Sequence, residues 1–290
     1  LVNADIALYR AKERGRNRHE FFSDALQAEI ATVKRVADDI LRGIEQREFL
    51  PYYQPLFDAR TLEVVGVEAL ARWNHPVDGR LAPVSFLKIA EDLNVLGIID
   101  SLMLEQALAD YTRWDALGLS VPSISVNVSF KRLHDQELIT SLRDLDLPAG
   151  KVSFELLESI FLDEVDPIVA WNLDQIRDLG IHVDIDDFGT GHASIVSLLK
   201  LSPRRFKIDR QFVTPITNSP EQRRLVGSIV EIGKSLGIAV VAEGVETMQQ
   251  ASILRKLGCD ILQGYAFAQP MPAAELETFL GKRRRLSNAS

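Results

Sequence analysis

The sequence is poorest in the residues that crosslink chains or build metal–thiolate centres. Of 290 residues one is cysteine, Cys259, and five are histidine. No internal disulfide can form and no Cys/His group has zinc spacing, so a reducing compartment, the cytoplasm, is the expected setting. Long apolar runs are missing too. No stretch approaches the roughly 18 to 20 residues that span a bilayer, and the N-terminus lacks the apolar core of a signal peptide. Basic charge is in deficit, with 33 Lys and Arg against 41 Asp and Glu and a formal net charge of −8. That argues against a broad grip on a DNA or RNA polymer, and an anionic ligand would need cations to mediate. The one basic run, in GKRRRLSNAS, reads as a solvated tail. What is present, 46% hydrophobic and 26% charged residues, is the composition of a soluble globular protein with room for one large α/β domain or two ordinary ones. The chain opens on Leu1 inside an apparent helix, so a longer parent polypeptide is expected, whose N-terminal part would hold any membrane anchor.

Periodicity divides the chain into segments 1–23, 24–48 and 49–290. In the first, Ile6, Leu8 and Tyr9 fall at helical spacing before a basic, glycine-containing turn, which predicts a helix and its exit. In the second, Leu26, Ile30, Val33, Ala37, Ile40, Leu41 and Ile44 form one stripe, the pattern of a linker helix packed on the main domain. The third contains eight β-like runs: FLPYYQPL (49–56), VVGVEAL (64–70), PSISVNVS (122–129), KVSFELL (151–157), IHVDIDD (181–187), RRFKID (204–209), GIAVVAE (237–243) and CDILQGY (259–265). From the second run onward, stretches of helical periodicity such as RRLVGSIVEIGKSL separate them. Strand alternating with helix implies a mainly parallel sheet, and eight such units imply a closed α/β barrel of the (β/α)8, TIM-like kind. Only FDARTLE separates the first two runs, too short for a parallel crossover, so the first strand should be antiparallel. The excursion over 71–121 should carry at least two helices.

Catalytic groups of such barrels come from the C-terminal ends of the strands. Here runs two to eight all end in a carboxylate, amide or lysine: Glu68; Asn127; Glu155 and Glu158; Asp186 and Asp187; Lys207 and Asp209; Glu243; Gln263. Singly, each would read as a helix cap or turn former, but scattered caps would not end every parallel run. Glu68, Glu155, Asp186, Asp187 and Glu243 at one barrel mouth would repel one another unless protonated or metal-bound. Oxygen donors without Cys or nearby His suit hard cations, Mg²⁺ or Mn²⁺. Five acids with an amide exceed what one octahedral ion uses, which favours two ions about 3.5 to 4 Å apart sharing a bridging carboxylate, as in phosphoester hydrolysis. Lys207, on the inward face of its strand, would orient the attacking water or neutralise the transition state.

The stretch HVDIDDFGTG sets two acids side by side, where strand neighbours should point to opposite faces. The strand is expected to end between them, with Ile181, Val183 and Ile185 facing helices. Asp186 would then be the last inward residue, and Asp187 the first of a loop freed by Gly189 and Gly191.

The motif VEALARW, followed in order by SVNVS, FELLES, DDFGTG, FKIDR, VAEGVE and QGY and preceded by YYQP, resembles the EAL domains, which hydrolyse cyclic di-GMP to linear pGpG. The likeness covers roughly residues 40–280. It implies that Glu68, Asn127, Glu155 and Asp186 hold a first metal and that Asp186 bridges to a second held by Asp187 and Glu243. It implies that Lys207 contacts the nucleophilic water, with Glu68 and Glu243 also serving catalysis. Gln54, Arg72 and Gln263 match positions that contact substrate or order the site, Glu158 matches the glutamate that tethers the loop after strand five, and Glu246 is a further motif position. A homodimer is implied as well. In GTGHASI, His192 and Ala193 stand where the family usually has Tyr and Ser. The opening ALYRAKERGRNRHEFF resembles the last helix and exit of a GGDEF domain, so the expected parent is a tandem GGDEF–EAL protein with sensory input upstream, and this piece should lack cyclase activity. Two competing expectations stand beside the phosphodiesterase: an inactive EAL module serving as nucleotide receptor or protein-interaction domain, and a barrel hydrolase for an unrelated phosphoester.

Overall fold

A computed structural model describes residues 23–158, 166–190 and 201–287. The GGDEF-like stretch therefore lies outside the described residues. The chain forms two compact units, one joining the residues up to Glu48 with Trp73–Leu96, the other joining Phe49–Arg72 with the residues from Gly97 onward.

The first unit contains helix α1 (Asp24–Glu45) and the short helix α2 (Leu87–Asp92), which pack together. Of the expected stripe on α1, Ile40 is buried, whereas Val33 and Leu41 are exposed. The end of strand β2 (Val64–His75) pairs there with β3 (Gly79–Leu81), Trp73 opposite Leu81, in a hairpin that short polar residues made hard to foresee. Trp73 Nε1 donates to Glu48 Oε2 at 2.9 Å, which satisfies an indole N–H on a fully buried ring.

The second unit is the barrel. Its strands are β1 (Phe49–Asp58), β2, β4 (Ile124–Asn127), β5 (Val152–Leu157), β6 (His182–Phe188), β7 (Arg205–Ile208), β8 (Ala239–Ala242) and β9 (Ile261–Leu262). They are ordered β1-β9-β8-β7-β6-β5-β4-β2, and pairing of β1 with β2 closes the ring. From β2 through β9 all neighbours are parallel, while β1 runs antiparallel to β9, as the short first connection requires. That connection turns on Asp58, whose Oδ1 accepts from the N–H groups of Arg60 (2.9 Å) and Thr61 (2.7 Å), with Leu62 at φ 58°.

Around the barrel, α3 (Leu96–Ala116), α6 (Pro167–Asp178), α8 (Pro220–Leu236) and α9 (Met248–Leu257) supply crossovers. The short helices α4 (Phe130–Leu133), α5 (Leu138–Arg143) and α7 (Arg210–Val213) lie between strands, and α10 (Ala273–Ser287) is the last element among the described residues. Local chemistry fixes their starts: Ser219 caps α8 ahead of Pro220, and Thr247 with Gln250 forms a reciprocal capping box on α9. Alternation along the strands separates two environments. Val67, Val126, Phe154, Ile185, Phe206 and Val240 form a buried apolar layer, while the opposite face of β2, β4, β5, β6 and β7 carries polar residues of the barrel interior. Among the described residues no helix is long and apolar enough to cross a membrane.

Candidate metal-binding active site

Lys207 is the centre of the site. It extends from β7 with 2% of its side chain exposed, and its Nζ lies 2.5 Å from Glu243 Oε1, 2.6 Å from Glu155 Oε2, 3.1 Å from Glu68 Oε2 and 3.4 Å from Asp186 Oδ1. Burying an ammonium is costly unless charge and hydrogen bonds replace water, and here four strand-end acids do so. Glu68 is held from two more sides. Asn127 Nδ2 donates to its Oε1 at 3.0 Å and Gln263 Nε2 to its Oε2 at 2.7 Å. Gln263 Nε2 also reaches Gln54 Oε1 at 3.1 Å, and Gln54 Nε2 donates to the Ala268 carbonyl at 3.1 Å. The reversed strand β1 thus contributes to the mouth from its middle, through Gln54.

The adjacent aspartates are explained by a β-bulge. Ile185 pairs with Phe206 and Phe188 with Ile208, so two residues of β6, Asp186 and Asp187, stand opposite the single residue Lys207. Strand β6 therefore does not end between them, as the sequence led us to expect; it continues to Phe188 through the irregularity. Asp187 takes the left-handed conformation, φ 55°, and its N–H donates to Asp186 Oδ1 at 2.9 Å. Phe188 returns to the outer face, its ring centroid 4.6 Å from that of Phe206.

The titration properties follow from crowding. Burial opposes ionisation of Glu68, but the charge of Lys207 and hydrogen bonds from Gln263 and Glu155 outweigh it and hold the carboxyl at about 2. Burial and the charge of Glu68 push Glu155 well above the usual carboxylate range against the pull of Lys207. Burial and the charges of Asp186 and Glu68 raise Glu243 to about 8 against the pull of Lys207. Burial, the charge of Asp186 and a hydrogen bond with Asp209 raise Asp187 to about 7. One ammonium is too little positive charge for this many acids, and protons fill the deficit.

Divalent cations fit the same donor set. Glu68, Glu155 and Asp186 form one group of mutually close oxygens and Asp186, Asp187 and Glu243 another, each within 4.8 Å, with Asp186 common to both. Glu155 Oε1 is buried without a hydrogen-bond partner, an atom that a cation would satisfy. All donors are oxygens, the chemistry that hard ions prefer.

Other expected residues lie around this group. Glu158 is buried, and its Oε2 accepts from the Gly189 N–H at 2.6 Å, at the start of the loop after β6. Arg72 donates to the Ala71 carbonyl at 2.8 Å and lies 6.0 Å from the Tyr52 ring centroid. Glu246 is exposed ahead of the Thr247 cap, and neither acid group includes it. Gly191, His192 and Ala193 lie outside the described residues. Two features were missed in the sequence. Asp209, in the sequence one more strand-end acid, caps α7 through the Gln211 N–H and stands close enough to Asp187 to raise it. The other is a buried polar layer of Ser125, Ser153, Asp184 and Arg205, each two residues before a site residue. Stepping back by the strand period from each site residue would have found it.

A closed (β/α)8 barrel with one reversed strand and an oxygen-lined, cation-compatible pocket of acids at its C-terminal rim defines the class. Within that class, the chain belongs to the EAL domain family, whose model matches residues 37–270. It is 34% identical over 280 residues to MucR of Pseudomonas aeruginosa, named a bifunctional diguanylate cyclase/cyclic di-GMP phosphodiesterase, which covers 95% of this chain and 41% of MucR. It is 32% identical over 284 residues to NbdA of the same organism, named a cyclic di-GMP phosphodiesterase, covering 97% of this chain and 36% of NbdA. The solved structure of the MucR phosphodiesterase in complex with c-di-GMP matches with a TM-score of 0.79 at 33% identity, over 83% of this chain and 99% of that one. The chain thus spans about two fifths of these curated relatives or less.

Proposed function

We propose that this chain is a metal-dependent phosphodiesterase that opens cyclic di-GMP to linear pGpG. The observation that carries the reading is the convergence on Lys207 of strand-end acids that it cannot neutralise. Five carboxylates against one ammonium leave a formal excess of four negative charges, which two divalent cations would cancel. Glu68, Asn127, Glu155 and Asp186 would hold one ion, and Asp186, Asp187 and Glu243 the other, Mg²⁺ or Mn²⁺ in each case. Such a pair, when bound, polarises a phosphodiester and lowers the pKa of water. The chain's own part is positional and electrostatic. Lys207, already within hydrogen-bonding reach of Glu243 and Glu155, is placed to orient a water and to offset charge that develops on phosphate. Gln263, itself tied to Gln54, fixes Glu68, Arg72 and these amides would meet the nucleotide, and Glu158 holds the loop entry at Gly189. Water oxygen bonds to phosphorus, one ester P–O bond breaks, and the ring opens with one terminal phosphate and one free hydroxyl. Relatives named for this activity, and a solved relative holding c-di-GMP, support the choice of substrate. A homodimer and upstream GGDEF or sensory segments in the parent chain belong to the same reading.

The test is incubation with cyclic di-GMP and Mg²⁺ followed by chromatography. Appearance of pGpG, abolished by chelator, is expected. Nucleotide binding with no pGpG at any Mg²⁺ or Mn²⁺ concentration would overturn the enzyme in favour of a receptor.

A further inference from the structure

Beneath the acids, about 6.6 Å down each strand, lies a second set of inward residues two positions earlier in sequence. Asp186 is preceded in this sense by Asp184, Lys207 by Arg205, Glu155 by Ser153 and Asn127 by Ser125. These four interact. Arg205 donates to Asp184 Oδ2 from Nε at 3.0 Å and from Nη2 at 2.5 Å, and Nη2 also reaches Ser125 Oγ at 3.1 Å and Ser153 Oγ at 3.3 Å. Asp184 and Ser153 are fully buried, Ser125 is 1% exposed and Arg205 3%. Asp184 stands directly opposite Arg205 in the β6–β7 ladder, and Ser125 opposite Ser153 between β4 and β5.

Interior layers of such barrels are normally filled by bulky branched apolar residues. Replacing a buried ion pair by well-packed apolar residues is often neutral or stabilising, so stability is a weak reason for this layer. What the layer supplies that an apolar one cannot is direction. A planar guanidinium with fixed donor angles ties together the four adjacent strands β4, β5, β6 and β7, which deliver Asn127, Glu155, Asp186 and Lys207. The pair is also formally neutral, so it places no net charge below a site that must attract cations.

We propose that Arg205 and Asp184, with Ser125 and Ser153, are positioning residues that set the spacing of the acids for divalent-ion binding. The proposal rests on the metal-dependent reading above. The layer never touches an ion or nucleotide; it acts through the residues one step along each strand. Groups that hydrogen-bond metal ligands directly change metal affinity by about 10- to 100-fold when removed, and this layer, one step further down each strand, is expected to act near the lower end of that range.

The test is titration of the folded protein with Mn²⁺, without nucleotide, by calorimetry. Arg205→Lys keeps the positive charge but loses the forked geometry. The double variant Ser125→Ala/Ser153→Ala keeps the ion pair and loses the ties to β4 and β5. Arg205→Lys should bind Mn²⁺ about tenfold or more weakly and the serine variant a few-fold more weakly, both with native circular dichroism. A role in folding alone would lower the unfolding temperature and leave the Mn²⁺ affinity of the folded protein unchanged, which would overturn the proposal. Should Arg205→Lys fail to fold, the serine variant decides by the same criterion. Wild-type chain that binds no Mn²⁺ would remove the metal reading and this proposal with it. Wild-type binding that the variants match would remove this proposal alone.

Discussion

Raising the pH on metal-free protein should weaken the fold, and divalent ions should reverse the trend. Glu243 is raised from 4.5 to about 8 and Asp187 from 3.8 to about 7. For an acid whose folded pKa is raised, the folded state holds more protons than the unfolded chain. The stabilisation is therefore complete below about pH 4 and is lost as pH climbs to about 8. Glu68, held at about 2, has the opposite sign, but its contribution is complete above about pH 4.5 and adds no slope beyond it. Each proton contributes at most about 1.4 kcal/mol per pH unit. Because Glu243 is half ionised by pH 8, it alone carries about 2 kcal/mol between pH 6 and pH 8, and Asp187, half open to solvent, adds a smaller amount. For a unit of this size that is a fall in Tm of roughly 5–9 °C. The assay is thermal unfolding from pH 6 to 8 in chelator and in saturating Mg²⁺. Ions bind the deprotonated acids and stabilise by about 2.7 kcal/mol at a hundred times Kd, so with Mg²⁺ the decline should flatten or reverse. Glu243→Gln should flatten the chelator curve. A chelator curve that is flat or rising, or one that runs parallel to the Mg²⁺ curve, would refute the reasoning.

Three further outcomes follow from single contacts. Glu68→Gln should bind Mn²⁺ more weakly and reduce pGpG formation by about 10³-fold, read by calorimetry and chromatography, because it removes the carboxylate charge that Lys207 and Gln263 meet at Oε2 and Asn127 at Oε1. Glu158→Ala should free the Gly189 N–H from a 2.6 Å charged hydrogen bond worth about 1.5–3 kcal/mol, so amide exchange at Gly189 should quicken by about tenfold or more while the global Tm moves little. Gly264→Ala should destabilise by about 3 kcal/mol or more in urea unfolding, since the new Cβ would meet Val245 O at 2.2 Å and Val245 N at 2.3 Å, both backbone atoms beside Gln263.

The barrel was legible because its signal is local and repeated: short β-rich runs with polar ends, spaced by helical periodicity, and one connection too short to cross over. The pattern of strand ends also pointed to the acids that Lys207 gathers, since in a parallel barrel all such ends share a rim. The bulge was not legible. Register between β6 and β7 is a relation between two segments, and hydropathy along either one is silent about it. The Arg205–Asp184 pair was hidden for a related reason: charged residues near the start of a strand read as its solvated entrance, and only the partner on the neighbouring strand makes them interior. The β2–β3 hairpin carries too few apolar residues to announce itself. Exposure of Val33 and Leu41 shows that an apolar stripe on a helix states what can be buried and leaves open what is buried.

The bulge in β6 has a further meaning when the strand is viewed as a count. Because residues alternate between inside and outside, one extra residue shifts the parity of all that follow it. Asp187 is that extra residue, and it lets Phe188 resume the outer side next to Phe206. Deleting either aspartate would thus differ in kind from substituting it. The strand would regain even alternation with Ile185 outward, one aspartate inward and Phe188 still outward beside Phe206, so the register with β7 would survive while the rim lost one of its two neighbouring carboxylates.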